Sequence, residues 1–390
     1  MTRFLIFFFP ALIDMVLGLS FFVAAVRIAE SGAGPIAVTT VTTAWAAVYV
    51  VAAHWAGHIT RPANSARRIM TGCVLLALGS FAFIAIPDLR ATYPIMMLIA
   101  VGSALFFVPF QVFMKAVDKG DGELLPRSVG LYTFSWSSGM AAGPFAAAFL
   151  WSRFGWQSCY GLGIALSVIT AAGILFLKHH AEKHPDLAKS NRSDTVQPKH
   201  HSAVDYSRMP DLAWLGWLCS GVGCLTVVIL KSYLPSSARM MEISRVNQGI
   251  LLALISGAQA LTGLALCRSR MWMYRALPIS LFGMCGVAGL LMFGVCGDFP
   301  PLALASVLYG VYSGAFFFYL VFHSLVHPER STRYVAANES VVGLSAIIGP
   351  LLAGFLAVGV SIASPYLVSA LLVLLIGIFQ AVVTRRLRIR

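Results

Sequence analysis

This chain is short of charge. Only 11% of its 390 residues are Asp, Glu, Lys or Arg, against roughly 25% in soluble domains, and only 15 are acidic. With 58% of residues hydrophobic, that shortage excludes a single water-soluble core and points to an integral membrane protein. A leader is also missing. The first apolar run begins near Phe4 with scarcely any basic region before it and contains Asp14, so the first span is expected to act as its own targeting signal. All seven cysteines fall inside apolar spans with no CxxC pair, which argues against a disulfide framework or a thiolate metal site. No Ser-His-Asp, His-x4-Asp or clustered metal-ligand pattern occurs, so neither an enzyme nor a metal or cofactor is expected.

What is present is a succession of apolar runs of about 20 residues, the length that crosses a bilayer as a helix and far too long for barrel strands. The fold class expected is an all-α integral membrane protein with 12 transmembrane helices. Six spans occupy residues 1–177, a polar segment rich in His, Lys, Ser and Asp follows over 178–210, and six more spans occupy 211–390, the seventh running from Asp211 to Leu230. With an even number of spans both termini share one side. Six of the 28 Lys and Arg residues fall on the opposite side, namely Arg27, Arg90, Arg153, Lys231, Arg239 and Arg245, and the other 22 fall on the side of the termini. That asymmetry places both termini in the cytoplasm. It also accounts for the net charge of +13 without a nucleic-acid partner.

The most distinctive stretch is Arg127 to Leu150, which carries Gly130, Gly139, Gly143 and Pro144 at spacings that mark a close packing face. It returns 206 positions later as Ser345, Gly349, Pro350 and Gly354, the last in register with Ala148. Two halves, a cytoplasmic linker and a repeated Gly-Pro helix resemble the major facilitator superfamily over essentially the whole chain. The fifth-span signature of that family's proton-coupled exporters is Gly, eight residues, Gly, three residues, Gly-Pro, two residues, Gly-Gly. This chain fits through Pro144 and has Ala147 and Ala148 at the final pair. Two other family signatures are altered. The loop after the second span has Arg61 where Asp is usual, keeping the basic pair Arg67 and Arg68, and the fourth span has Leu98 where exporters carry Arg.

The resemblance implies two pseudo-symmetric six-helix bundles and a secondary active transporter that moves a small organic solute by alternating access, with proton coupling expected. A uniporter or facilitator, or a non-transporting membrane receptor or scaffold, is the alternative. Partners expected are a small-molecule solute, membrane lipid and protons, for a monomer in a bacterial inner membrane.

Four residues are candidates for proton coupling or substrate contact. Asp14 lies mid-span, where a bare carboxylate costs at least about 2.5 kcal/mol on insertion scales. It either faces a central cavity, on the stripe Asp14, Gly18, Phe21 and Ala25, or is bonded to a neighbouring helix. Glu339 lies near the start of the eleventh span, as a gate residue or as an acid favoured by the helix dipole. His323 and Gln111 sit near the cytoplasmic ends of the tenth and fourth spans. A cytoplasmic gate is expected among Arg61, Arg67, Arg68, Asp118, Arg127 and Arg333, with Asp118 pairing to Arg61 or Arg127. Arg27 and Lys231, read as the outer ends of the first and seventh spans, are either guides for an anionic substrate or interfacial anchors. His54 and His58, one turn apart, make a pair without a third metal ligand. The aromatic runs from Phe106 to Phe113 and from Phe316 to Phe322 either line a cavity or face lipid.

Overall fold

The computed structural model describes residues 2–117, 125–183, 211–268, 272, 275–325 and 331–386, some of them by backbone only. Among the described residues there are twelve α-helices and one short 3-10 turn. They are α1 Thr2–Glu30, α2 Pro35–Ile59, α3 Ser65–Ala85, α4 Thr92–Val117, α5 Leu125–Phe154, α6 Trp156–Lys183, α7 Ala213–Met240, α8 Arg245–Leu266, α9 Ala276–Val295, α10 Phe299–Leu325, α11 Ser331–Gly359 and α12 Ser364–Arg386.

Eleven of the twelve are long and apolar enough to cross a membrane. The exception is α5, the Gly-Pro helix. Its Thr133, Ser135, Ser137, Ser138 and glycines dilute the apolar content, and its neighbours rather than lipid account for this composition. Thr133, Ser135, Ser137, Gly139 and Gly143 are all buried. Gly155 alone joins α5 to α6. Its φ of +85° closes the end of α5 with a bond from its N–H to the Trp151 carbonyl, 3.1 Å, a conformation that glycine adopts without a Cβ penalty.

The packing repeats with a shift of six helices. Helix α1 packs on α5 and α6, α3 on α4 and α6, and α2 on α4; correspondingly α7 packs on α11 and α12, α9 on α10 and α12, and α8 on α10. Between the two sets, α5 lies along α8 and α2 along α11, with a smaller contact between α1 and α7. These cross-contacts obey the same shift. The fold is therefore two pseudo-symmetric six-helix bundles.

Glycines bring α1 and α5 together. A Cβ on Gly139 would stand 2.1 Å from the Ala11 carbonyl oxygen, and one on Gly143 would stand 2.6 Å from that of Met15. In α11, a Cβ on Gly349 would meet the Leu225 carbonyl of α7 at 3.1 Å, and Ser345 Oγ donates to the Gly221 carbonyl at 3.3 Å. The later part of each motif faces the other bundle. A Cβ on Gly354 would meet Thr39 Oγ1 of α2 at 2.8 Å, and Ala148 abuts Gly249 of α8 so closely that a Cβ there would be 2.5 Å away. One helix thus packs its own bundle with one end of the motif and the opposing bundle with the other.

Two helix-level expectations change. Helix α7 does not stop at Leu230 but continues to Met240, so Lys231 is a helix-interior residue within a span of Ala213–Ala238. The aromatic runs also turn inward: Phe106, Phe110, Phe113, Phe316, Phe318 and Tyr319 are buried against other helices.

Candidate functional site

Two polar constellations lie at the contact between the bundles. The deeper one centres on Gln259 of α8, which is fully buried. Its Nε2 donates to Ser137 Oγ of α5 at 2.7 Å, and its Oε1 accepts from Ser313 Oγ of α10 at 2.7 Å. Buried amides are stable only when both ends are satisfied, and here the second bundle supplies one partner and the first supplies the other. Close by, Trp136 of α5 meets Phe317 of α10 edge to face at 5.1 Å.

Asp14 belongs to the same depth. It is 7% exposed, its Cβ lies opposite Gly139 of α5, and its Oδ2 is buried without a hydrogen-bond partner. Measured at 1.5 Å per residue from Glu30, it is about 24 Å from the end of the bundle opposite the termini; Gln259, measured from Arg245, is about 21 Å from it. A carboxyl oxygen left unpaired at that depth is costly, and no local packing need explains it.

The shallower constellation is built on Lys231. Its Nζ donates to Ser256 Oγ of α8 at 2.9 Å. Lys231 and Ser256 lie about 14 and 17 Å from the same end. Asp14 on α1 and Lys231 on α7 stand on helices that meet across the bundle contact, and they form no salt bridge. At this depth the indole N–H of Trp45 is buried without a partner, its ring stacked on Tyr49 at 4.7 Å and edge-on to Phe21 at 5.2 Å. Phe21 is on the helical face of Asp14.

Arg27 and Lys231 are therefore not equivalent. Arg27 Nη2 donates to the Pro87 carbonyl at 2.7 Å and its guanidinium lies 3.7 Å over the Trp156 ring, so its hydrogen bonding and its flat face serve packing within the first bundle. The reading of both as outer-end residues is corrected for Lys231, which was misplaced because a lysine after an apolar run looks like a span end.

Glu30 at the end of α1 is paired with Arg245 at the start of α8, with a second contact from Nη2 to Oε2 of 3.0 Å. The guanidinium also lies 4.8 Å over the Trp151 ring of α5. This ion pair joins the two bundles at the end opposite the termini, beside a recess lined by Ala29, Ala33, Ser236 and Met240. Exposed pairs contribute about 0.2–1 kcal/mol. Glu30→Gln is accordingly expected to leave thermal stability nearly unchanged while increasing maleimide labelling of a cysteine introduced at Ala33 by about two- to fivefold. Equal labelling rates would show that the pair latches nothing.

The other expected site residues are dispersed. His323 is buried with its ring 4.2 Å from that of Tyr319, within the second bundle against α7. Gln111 is partly buried on α4. Arg61 and Arg67 are exposed and Arg68 is half-buried. Their expected partner Asp118 lies outside the described residues, as do the side chains of Arg127, Arg333 and Glu339 and the surroundings of Gly130. His54 and His58 are exposed with their Nε2 atoms 3.1 Å apart, and no third ligand joins them among the described residues. A recess of about 530 Å³, part of it open solvent, lies inside the second bundle near Cys219, Trp272, Tyr312 and Gln380. Its lining carries no formal charge and belongs wholly to the second bundle, so the bundle contact rather than this recess is the candidate site.

Sequence reasoning missed Gln259, Ser256, Trp45 and the Glu30–Arg245 pair. The signal available for Gln259 was a lone amide in the apolar run Leu251 to Leu266, which composition alone does not separate from a tolerated polar residue. Compared with known families, the chain matches the Major Facilitator Superfamily model over residues 4–326. A comparison with the curated proteins finds no match.

Proposed function

The chain belongs to the major facilitator superfamily, and from that premise we propose that it is a secondary active transporter that moves a small organic solute by alternating access with a proton as the coupling ion. Membership gives a multi-pass membrane transporter of a small solute. The coupling reading rests on one observation: Asp14, mid-span on α1 and 7% exposed, keeps Oδ2 buried without a partner.

In this reading residues 1–177 and 211–390 rock against each other about the α5–α8 and α2–α11 contacts, joined by 178–210. Asp14 carries a proton while the solute-loaded site is sealed, since a dry site disfavours an uncompensated charge, and releases that proton when one side opens to water and the solute leaves. The Gln259 bridge sets the register of the contact. Arg61, Arg67 and Arg68, with Asp118, Arg127 and Arg333, form the gate at the cytoplasmic end, the side to which the basic residues assign both termini. The protein acts as a monomer in a bacterial inner membrane.

The test uses proteoliposomes of the full-length protein with pyranine trapped inside. Addition of a mixture of small organic solutes outside is expected to drive proton movement, and Asp14→Asn is expected to abolish it. Proton movement that survives in Asp14→Asn, or solute movement at the same rate with and without a pH gradient, would overturn the reading.

A further inference from the structure

We infer that Lys231 and Ser256 receive the anionic group of the solute, that the solute is an organic monocarboxylate, and that one proton on Asp14 enters with each anion. This deepens the proposal above and rests on its assignment of Asp14.

The argument starts from what Lys231 lacks. An ammonium has three donors, and Ser256 Oγ takes one of them at 2.9 Å. No carboxylate lies within salt-bridge distance among the described residues; the mid-span acid on α1, the first-bundle helix that meets α7, is Asp14. Asp14 lies about 10 Å farther along the helix axes, by the 14 Å and 24 Å depths of the two residues. Asp14 in turn has a buried oxygen with no donor. Two opposite charges, one from each bundle, thus face a shared contact without closing on each other.

Asp14 is buried and Lys231 half-buried, and an uncompensated ion in such a low-dielectric site costs up to several kcal/mol, so the charges at the contact tend to balance. With the site empty, ionised Asp14 compensates Lys231 and the sum is zero. When Asp14 takes up a proton, its O–H bond forms, its negative charge disappears, and Lys231 is left as an unbalanced cation. A monoanion at Lys231 restores the sum to zero; a cation would double the imbalance and a neutral solute would leave it. Proton and anion therefore bind as a pair, and each full turnover carries no net charge across the membrane.

Lys231 offers its remaining donors as a charge-assisted site for a carboxylate. The indole N–H of Trp45, at a depth of about 15 Å counted from Pro35, is a further buried donor lacking an acceptor. Its ring, with Tyr49 and Phe21, supplies apolar surface at the depth of Lys231, which suits the organic part of the anion.

The experiment measures the thermal stability of the detergent-purified full chain with benzoate, phenylacetate and lactate, using choline and glucose as cationic and neutral controls, at acid and at mildly alkaline pH. Ligands that bind the folded state raise its apparent stability. At least one carboxylate is expected to stabilise the wild type, more strongly at acid pH, with one proton taken up per anion in weakly buffered solution. Lys231→Met is expected to weaken that binding by at least about tenfold, because it removes the charge-assisted donor of the anion. Lys231→Arg is expected to retain part of it. Asp14→Asn, a permanently neutral stand-in for the protonated acid, is expected to bind the anion equally at both pH values. Because Lys231→Met leaves a lone acid, the double variant Asp14→Asn/Lys231→Met, neutral at both positions, serves as the folded control and is expected to show no anion effect. Stabilisation by choline but by no carboxylate, anion binding that persists in the double variant, or no stabilisation by any of the three carboxylates overturns the assignment of Lys231. Carboxylate binding that depends on Lys231 but is the same at both pH values in the wild type instead overturns the proton-coupled reading of Asp14.

Discussion

Gly139→Ala is expected to remove most folded protein from membrane extracts, although it adds a single methyl group. That methyl would sit 2.1 Å from the Ala11 carbonyl oxygen and 2.9 Å from Asp14 Cβ. Neither can yield locally: the carbonyl is part of the α1 backbone and Cβ is the root of its side chain. The whole of α1 must move away from α5, and the neighbouring approach of Gly143 to Met15 and Leu19 is lost with it. Overpacking typically costs 1–3 kcal/mol, and a close clash with the α1 backbone puts this substitution at about 3 kcal/mol. Gly161→Ala on α6 is the matched control, since a Cβ there meets nothing within 4 Å and alanine favours the helix by up to about 1 kcal/mol. Detergent extraction followed by size-exclusion chromatography should show a monodisperse peak for Gly161→Ala and its loss for Gly139→Ala. Equal peaks would mean that α1 and α5 do not depend on this contact.

The contrast between Gly139 and Gly161 indicates what the sequence could disclose. Gly143-Pro144 recurs as Gly349-Pro350 at a 206-residue offset, with Ser345 at the position of Gly139, so a packing face and a duplicated bundle were legible without coordinates. The repeat has a one-dimensional signature because each copy must meet the same need. The site has no such signature. Glu30 and Arg245 are 215 positions apart, Asp14 and Lys231 lie on different bundles, and each pair becomes meaningful only when the bundles face each other. Lys231 was even misplaced, because hydropathy prices a lysine by itself and takes no account of Ser256 on α8. Asp14 was visible for the opposite reason: a mid-span carboxylate is costly wherever its partner lies. Gln259 fell between these cases, too mild a cost to stand out and satisfied by two serines on different helices.

Position relative to the moving contact decides what a clash does, and Gly249→Val is expected to show it. A Cβ on Gly249 would stand 2.5 Å from Ala148 Cβ and 2.7 Å from the Pro144 carbonyl, a crowding comparable to that at Gly139. The difference is that α8 and α5 belong to opposing bundles. In alternating access that contact opens during each cycle, so the crowding penalises only the state in which the end marked by Glu30 and Arg245 is closed. A penalty of about 1–3 kcal/mol then shifts the conformational equilibrium by roughly 5- to 150-fold while each bundle keeps its own packing. Gly249→Val is therefore expected to purify as folded protein with thermal stability close to wild type. It should label a cysteine at Ser236 several-fold faster, and it should carry out proton-coupled flux at less than about a tenth of the wild-type rate, because a cycle that cannot close one end cannot deliver to the other. Loss of folded protein in Gly249→Val would show that α5 and α8 form one rigid unit. Normal flux with unchanged labelling would show that this contact does not move, and alternating access about α5 and α8 would have to be abandoned.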